Sequence, residues 1–140
     1  MRNSTIRVAT FAGPGAEPVI RSVEWPKIPK NAALIQIGAC GVCGTDLHIL
    51  KGHWPKPLPW PFTLGHELGG VIVEAGAEFT EDFMGKPLGV DTLHRTRDKY
   101  PWLEMQTLYP FDEDGVSRAV RDAMAMKTVK STIVPWPELV

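Results

Sequence analysis

Two short segments of the chain concentrate side chains that bind metals and move protons. The first, Gly41-Val42-Cys43-Gly44-Thr45-Asp46-Leu47-His48, brings a thiol, a hydroxyl, a carboxylate and an imidazole close together. The second, Gly65-His66-Glu67-Leu68-Gly69-Gly70, adds an imidazole and a carboxylate between glycines. Thiolate and imidazole are preferred zinc ligands, and carboxylates are a third class of donor. Cys43 and His66 lie 23 positions apart, far enough to come from different elements. Taken singly, each has a plainer reading: an isolated cysteine is usually a small core residue, and a histidine beside a glutamate usually faces solvent. Their joint occurrence within glycine-rich segments favours a shared site. Cys40 has the same two alternatives, core thiol or a further ligand.

Such a site needs elements to position it. At 140 residues, 44% hydrophobic and 22% charged, the chain has the make-up of one globular domain. Fifteen basic residues against sixteen acidic ones leave a net charge of −1, so no basic excess points to nucleic acid or to an anionic membrane. The amino terminus lacks a charged stretch followed by a long apolar run. The long uncharged stretch from Ala32 to Thr45 is shorter than the roughly 20 residues of a membrane span. Two cysteines are too few for a disulfide framework, and a cytoplasmic protein with free thiols is the expected setting.

Gly and Pro, 13 residues each, suit short strands broken by turns better than a helical bundle. Thr5–Phe11 and Val19–Trp25 alternate apolar and polar residues, as half-buried strands do. Ala33–Ala39 and Glu67–Ala75 read as further strands. The paired glycines of the latter mark a bulge or a close backbone approach. Thr45–Lys51 predicts a short helix capped by Thr45. His53–Pro61 carries four prolines and must be a loop. Trp54, Trp60 and Phe62 there either line a cleft or cap the end of a barrel. Gly85–Asp91 reads as a turn, and Thr92–Lys99 is polar and weakly periodic. Asp112–Met126 predicts a helix with an acidic start and with Val116, Ala119, Val120, Ala123 and Met124 on one face. Thr128–Val134 predicts a last strand. The expected class is mainly β (α+β): a partly open β-barrel with a few short helices.

The paired segments resemble the zinc-dependent medium-chain alcohol dehydrogenases. GVCGTDLH is similar to the stretch that holds that family's first catalytic-zinc ligand, and LGHELGGVIVEAG to the stretch holding the second. AMAMKTVKSTIVP is similar to the family's closing part. The likeness covers two blocks, roughly 5–83 and 88–137. It implies a GroES-like catalytic domain over 1–140, with Cys43 and His66 as zinc ligands and Glu67 as an acidic neighbour able to coordinate. It implies that Asp46 orients the ligand histidine through its other ring nitrogen, as metal-bound imidazoles require. It also implies that Thr45 contacts the substrate oxygen and that His48 ends a proton relay, a task suited to imidazole. In this family a cysteine at the position of Cys40 occurs without being a ligand, which favours the core-thiol reading.

The resemblance also marks omissions. No G-x-G-x-x-G follows a strand, so the family's NAD(P)-binding domain has no counterpart here. The four-cysteine structural zinc cluster and the third catalytic-zinc ligand are missing too. Residues 84–100, with Lys86-Pro87-Leu88-Gly89 at their start, read as a splice replacing that domain, made by engineering, with a naturally short relative as the alternative. The expected function is therefore a truncated alcohol dehydrogenase catalytic domain that keeps part of a zinc site, with weakened zinc binding. Its own turnover of small alcohols or carbonyls would be poor, and its open site would suit hydrolysis or lyase chemistry without indicating a substrate. The competing expectation is a metal-free folding scaffold. A chaperonin-type ring role rests on fold analogy alone. A homodimer through surface uncovered by the missing domain is expected, with no nucleic-acid or membrane partner. His53 and His94 are expected to face solvent.

Overall fold

A computed structural model describes residues 5–78, 84–88 and 105–135. Seven strands and two helices follow one another there: β1 (Thr5–Phe11), β2 (Pro18–Glu24), β3 (Ala33–Gly41), α1 (Gly44–Leu50), β4 (Glu67–Ala75), β5 (Pro87–Leu88), β6 (Gln106–Pro110), α2 (Glu113–Met124) and β7 (Lys130–Val134). They form a two-stranded ribbon, β1-β2, and a five-stranded sheet in the order β5-β4-β3-β7-β6. The fold is thus mainly β with open sheets, as the patterning predicts.

Strand β1 pairs antiparallel with β2 from Thr5↔Glu24 to Phe11↔Pro18, closed by the turn at Gly13-Pro14-Gly15. Phe11 leaves the ribbon to bridge Phe62 through two 2.9 Å backbone hydrogen bonds. It meets Leu50 of α1 and Val116 of α2 in the core, with Trp60, Leu64, Phe111 and Ile133 packed around them. Trp60 therefore serves the core, while Trp54 stands exposed.

The β3–β4 pairing shows why β4 carries paired glycines. A side chain on Gly70 would sit 2.0 Å from the Gln36 carbonyl oxygen, so only glycine allows the strands to approach. The register shifts between Ile37 and Ala39, where Gly38 is passed over, and such bulges bend a strand.

The second block completes the same sheet. Strand β7 pairs antiparallel with the end of β3 at Cys40↔Ile133 and Gly41↔Thr132, and β6 runs parallel to β7. Helix α2 connects these parallel strands, as parallel pairing requires. Asp112 caps it by accepting a 2.7 Å hydrogen bond from the Gly115 N–H. Val116 and Ala119 are buried, on the face expected from their spacing.

Some sequence expectations need adjustment. Helix α1 begins at Gly44 with Cys43, not Thr45, as its cap. The physical reason lies in Asp46 at the third helical position, whose carboxylate accepts from the Cys43 N–H at 2.9 Å. Helix α2 stops at Met124, and Met126 turns away with φ 53°. Strand β7 starts at Lys130 rather than Thr128. The segment expected as a turn after Gly85 contributes β5, paired with Gly70 and Val71 of β4. Strand β6 is not announced by its sequence, QTLYP, which lacks clear alternation. Its parallel partner β7, beyond the helix, supplies its hydrogen bonds. The stretch Thr92–Lys99, His94 included, and most of the splice region 84–100 lie outside the described residues.

Candidate metal centre

The register of β3 on β4 assembles the site. Gly41, the last residue of β3, pairs with Glu67, the first of β4. The chain leaving β3 at Val42-Cys43 and the chain entering β4 at Gly65-His66 therefore meet at the same end of the sheet. Val42 is fixed there by its N–H donating to the Ser131 carbonyl at 2.9 Å.

Cys43 Sγ and His66 Nε2 stand 3.6 Å apart. On the other side of the ring, His66 Nδ1 lies 3.7 Å from Asp46 Oδ1. Asp46 is buried. Beyond its bond from Cys43, it takes a longer 3.4 Å contact from the Gly65 N–H. Ligand atoms of Cys43, Asp46 and His66 all fall within 4.8 Å of one another. The three do not play equal parts. Asp46 already serves two backbone donors and faces the ring nitrogen opposite Cys43. Cys43 Sγ and His66 Nε2 face each other across the position a metal would take.

The donor set and its spacing fit zinc. Bonds of about 2.3 Å to sulfur and about 2.0–2.1 Å to nitrogen, opened to a tetrahedral angle, separate the two ligand atoms by about 3.6 Å. The observed separation is that value. The His66 side chain is 59% exposed, so two further positions would open to solvent or to an incoming oxygen ligand.

The neighbouring groups separate into distinct roles. Cys40 is half-buried and its thiol is pushed up to about 11, chiefly by burial, then by the nearby Asp46 carboxylate, against the pull of Lys130. Its sulfur packs where a side chain on Gly65 would come within 2.6 Å, and it is not one of the three clustered groups. Cys40 is thus a core thiol. Glu67, expected near the metal, is not brought into the cluster; its carboxylate pairs with the ammonium of Lys130. Thr45 and His48 lie three residues apart on α1 and so share a helical face, Thr45 half-buried and His48 exposed. The His48 ring lies 6.1 Å from that of His53, which is exposed as expected. Lys130 is the participant that sequence reasoning missed. It lies 63 residues from Glu67 and opens a short strand, so no local pattern joins the two.

Comparison with known proteins agrees with this arrangement. Residues 29–102 match the family described as the alcohol dehydrogenase GroES-like domain. An alcohol dehydrogenase of Geobacillus stearothermophilus is 43% identical over 75 residues, covering 54% of this chain and 22% of its own length. One from Rhizobium meliloti is 42% identical over 91 residues, covering 64% of this chain and 26% of its own. Among solved structures, the cobalt- and zinc-bound thermostable alcohol dehydrogenase of Pyrobaculum aerophilum superimposes with a TM-score of 0.53 at 31% identity, over 61% of this chain and 26% of that one. Acetophenone reductase from Geotrichum candidum, in complex with NAD, gives 0.54 at 29% identity, over 62% and 26%. The chain therefore spans only a minor part of the length of these relatives. With the matched region covering more than half of its residues and the paired Cys43 and His66 meeting at one end of the sheet, this chain belongs to the alcohol dehydrogenase GroES-like domain family.

Proposed function

We propose that this chain is the catalytic part of a zinc-dependent alcohol dehydrogenase, with Cys43 and His66 as zinc ligands and Asp46 holding the histidine. The observation that carries this reading is the 3.6 Å separation of Cys43 Sγ and His66 Nε2 with a buried carboxylate behind the ring. Zinc held there would polarise the oxygen of an alcohol or carbonyl as a Lewis acid. The protein's own residues supply the rest. Thr45 takes the proton of a substrate hydroxyl as it gives its own hydroxyl proton onward, and exposed His48, on the same face of α1, releases the relayed proton to water.

In this reading residues 1–140 form one catalytic domain. Residues 84–100 stand where the parent protein carries an NAD(P)-binding domain, removed by engineering. Pairing of β7 with β3 supports that view, because the two blocks share one sheet without needing anything between them. Hydride transfer needs a nicotinamide held against the substrate, and positioning of this kind is worth about 7–11 kcal/mol of barrier. Oxidation by this chain alone is accordingly slow, and zinc, with two protein ligands, binds weakly. Small alcohols or carbonyls are its substrate class. No helix among the described residues is long and apolar enough to cross a membrane. Exposed Leu108 and Val129 support self-association as a dimer, to be checked by sedimentation.

Elemental analysis of the purified chain, with a turnover assay with and without added NAD, tests the assignment. About one zinc per chain is expected, lost in Cys43→Ser and in His66→Ala. Absence of zinc from the unmodified chain after loading, or retention in both variants, would instead favour the reading of a metal-free scaffold. In that reading the Cys43–His66 contact is only a thiol–imidazole hydrogen bond.

A further inference from the structure

Strand β7 sends one charged side chain to the metal end of the sheet. Lys130 Nζ pairs with Glu67 Oε2, and both side chains are about two-thirds shielded from water, at 30% and 34% exposure. Glu67 follows His66 directly, so its carboxylate is the oxygen donor nearest in sequence to the ligand pair. The Lys130 side chain reaches it by lying across Gly41, where a methyl group would come within 2.6 Å of Lys130 Cε and 3.2 Å of Glu67 Oε2. The space for the ion pair therefore exists because residue 41 has no side chain.

We infer that Lys130 is a positioning residue that holds Glu67 off the metal and so keeps a coordination position open beside Cys43 and His66. This rests on the zinc reading above. A carboxylate free to turn would close the site with a third protein ligand, tightening zinc while displacing water or substrate oxygen. The lysine offers that carboxylate a unit charge in a partly shielded setting, where the attraction is screened less than at an open surface. The arrangement trades metal affinity for an accessible position. It also makes the second block, through β7, a determinant of chemistry in the first.

Cobalt titration of the full chain tests this, because the visible spectrum of bound cobalt reports both affinity and the kind of ligands around the ion. Lys130→Met is expected to raise cobalt affinity on the order of tenfold, within the range by which groups around metal ligands tune binding. The spectrum should change as a carboxylate oxygen replaces a water at the same coordination number. Glu67→Gln added to Lys130→Met should abolish the gain, and Lys130→Arg should retain the unmodified behaviour. Gly41→Ala keeps every charge but pushes aside the flexible end of Lys130, and should shift affinity in the same direction as Lys130→Met. It serves also if Lys130→Met fails to fold. Unmodified chain that takes up cobalt, with unchanged affinity and spectrum in Lys130→Met or Gly41→Ala, overturns this inference alone. So does a gain that survives Glu67→Gln. No cobalt uptake by the unmodified chain overturns the zinc reading and this inference together.

Discussion

Two polar clusters occupy this small sheet, and they are built to different standards. Around α2 and β7, Tyr109 Oη donates to Asp122 Oδ2 at 2.9 Å, the hydroxyls of Thr128 and Ser131 meet at 2.8 Å, and Asp112 caps Gly115 at 2.7 Å. Tyr109 and Ser131 are buried. Burial, then the bond to Asp122, pushes the Tyr109 hydroxyl above its ordinary value, while the same bond holds the Asp122 carboxyl low. Around Cys43, contacts at 3.4 to 3.7 Å join an exposed imidazole to a buried carboxylate and a half-buried thiol. The first cluster has met its bonding capacity internally, as buried polar groups must. The second keeps two strong donors facing each other with capacity left over. That unspent capacity, rather than the mere presence of polar residues, distinguishes a site from a structural network.

Disturbing the two clusters should therefore have opposite signatures. The largest effect is expected at Gly115→Ala, whose new methyl would lie 2.1 Å from the Pro110 carbonyl oxygen. Unfolding in denaturant should show a loss of about 3 kcal/mol or more, and metal affinity per folded chain should stay the same. Next, Asp46→Asn should lower zinc affinity about 10–100-fold, measured by competition with a chromophoric chelator, because the imidazole loses its charged orienting partner.

The thiol of Cys40 gives a smaller, pH-dependent effect. Its folded value of about 11 lies above the ordinary 9.0, so the folded state holds the proton more tightly. The contribution is complete below about pH 9 and is lost as pH rises toward 11, amounting to about 1 kcal/mol by pH 10. Denaturation curves across that range should show the decline, and Cys40→Ala should flatten it. The smallest change is Tyr109→Phe, which removes the hydrogen bond to Asp122 and should lower the melting temperature by roughly 2–4 °C with zinc binding intact. A zinc deficit in Tyr109→Phe comparable to that of Asp46→Asn would erase the distinction between the clusters.

Much of this was legible along the chain. Alternation located β1 and β2, apolar runs located β3 and β4, and β4 was bounded to the residue. Turn chemistry and proline placed the loop from His53 to Pro61. Helical periodicity placed α2, whose buried Val116 and Ala119 lie on the expected face. The ligand pair was legible because thiol and imidazole stand among glycines in segments with a recognisable likeness. The cap of α1 was misplaced because a cysteine is a poor cap by type. It holds that position because Asp46 reaches back to it. Strand β6 escaped notice because its pairing is parallel and its partner lies beyond a helix.

Local order along this chain thus determined the kinds of donor available and the periods of the elements that carry them, because side-chain chemistry and backbone preference act over a few residues. The tertiary structure decided which donors meet. Register between β3 and β4 set Cys43 opposite His66, the reach of Asp46 turned the ring, and Lys130 arrived from the last strand to take Glu67 away. These are contacts between residues 20 to 63 positions apart. Their distances follow from how strands pair and where a missing side chain leaves room, which no short window of sequence contains.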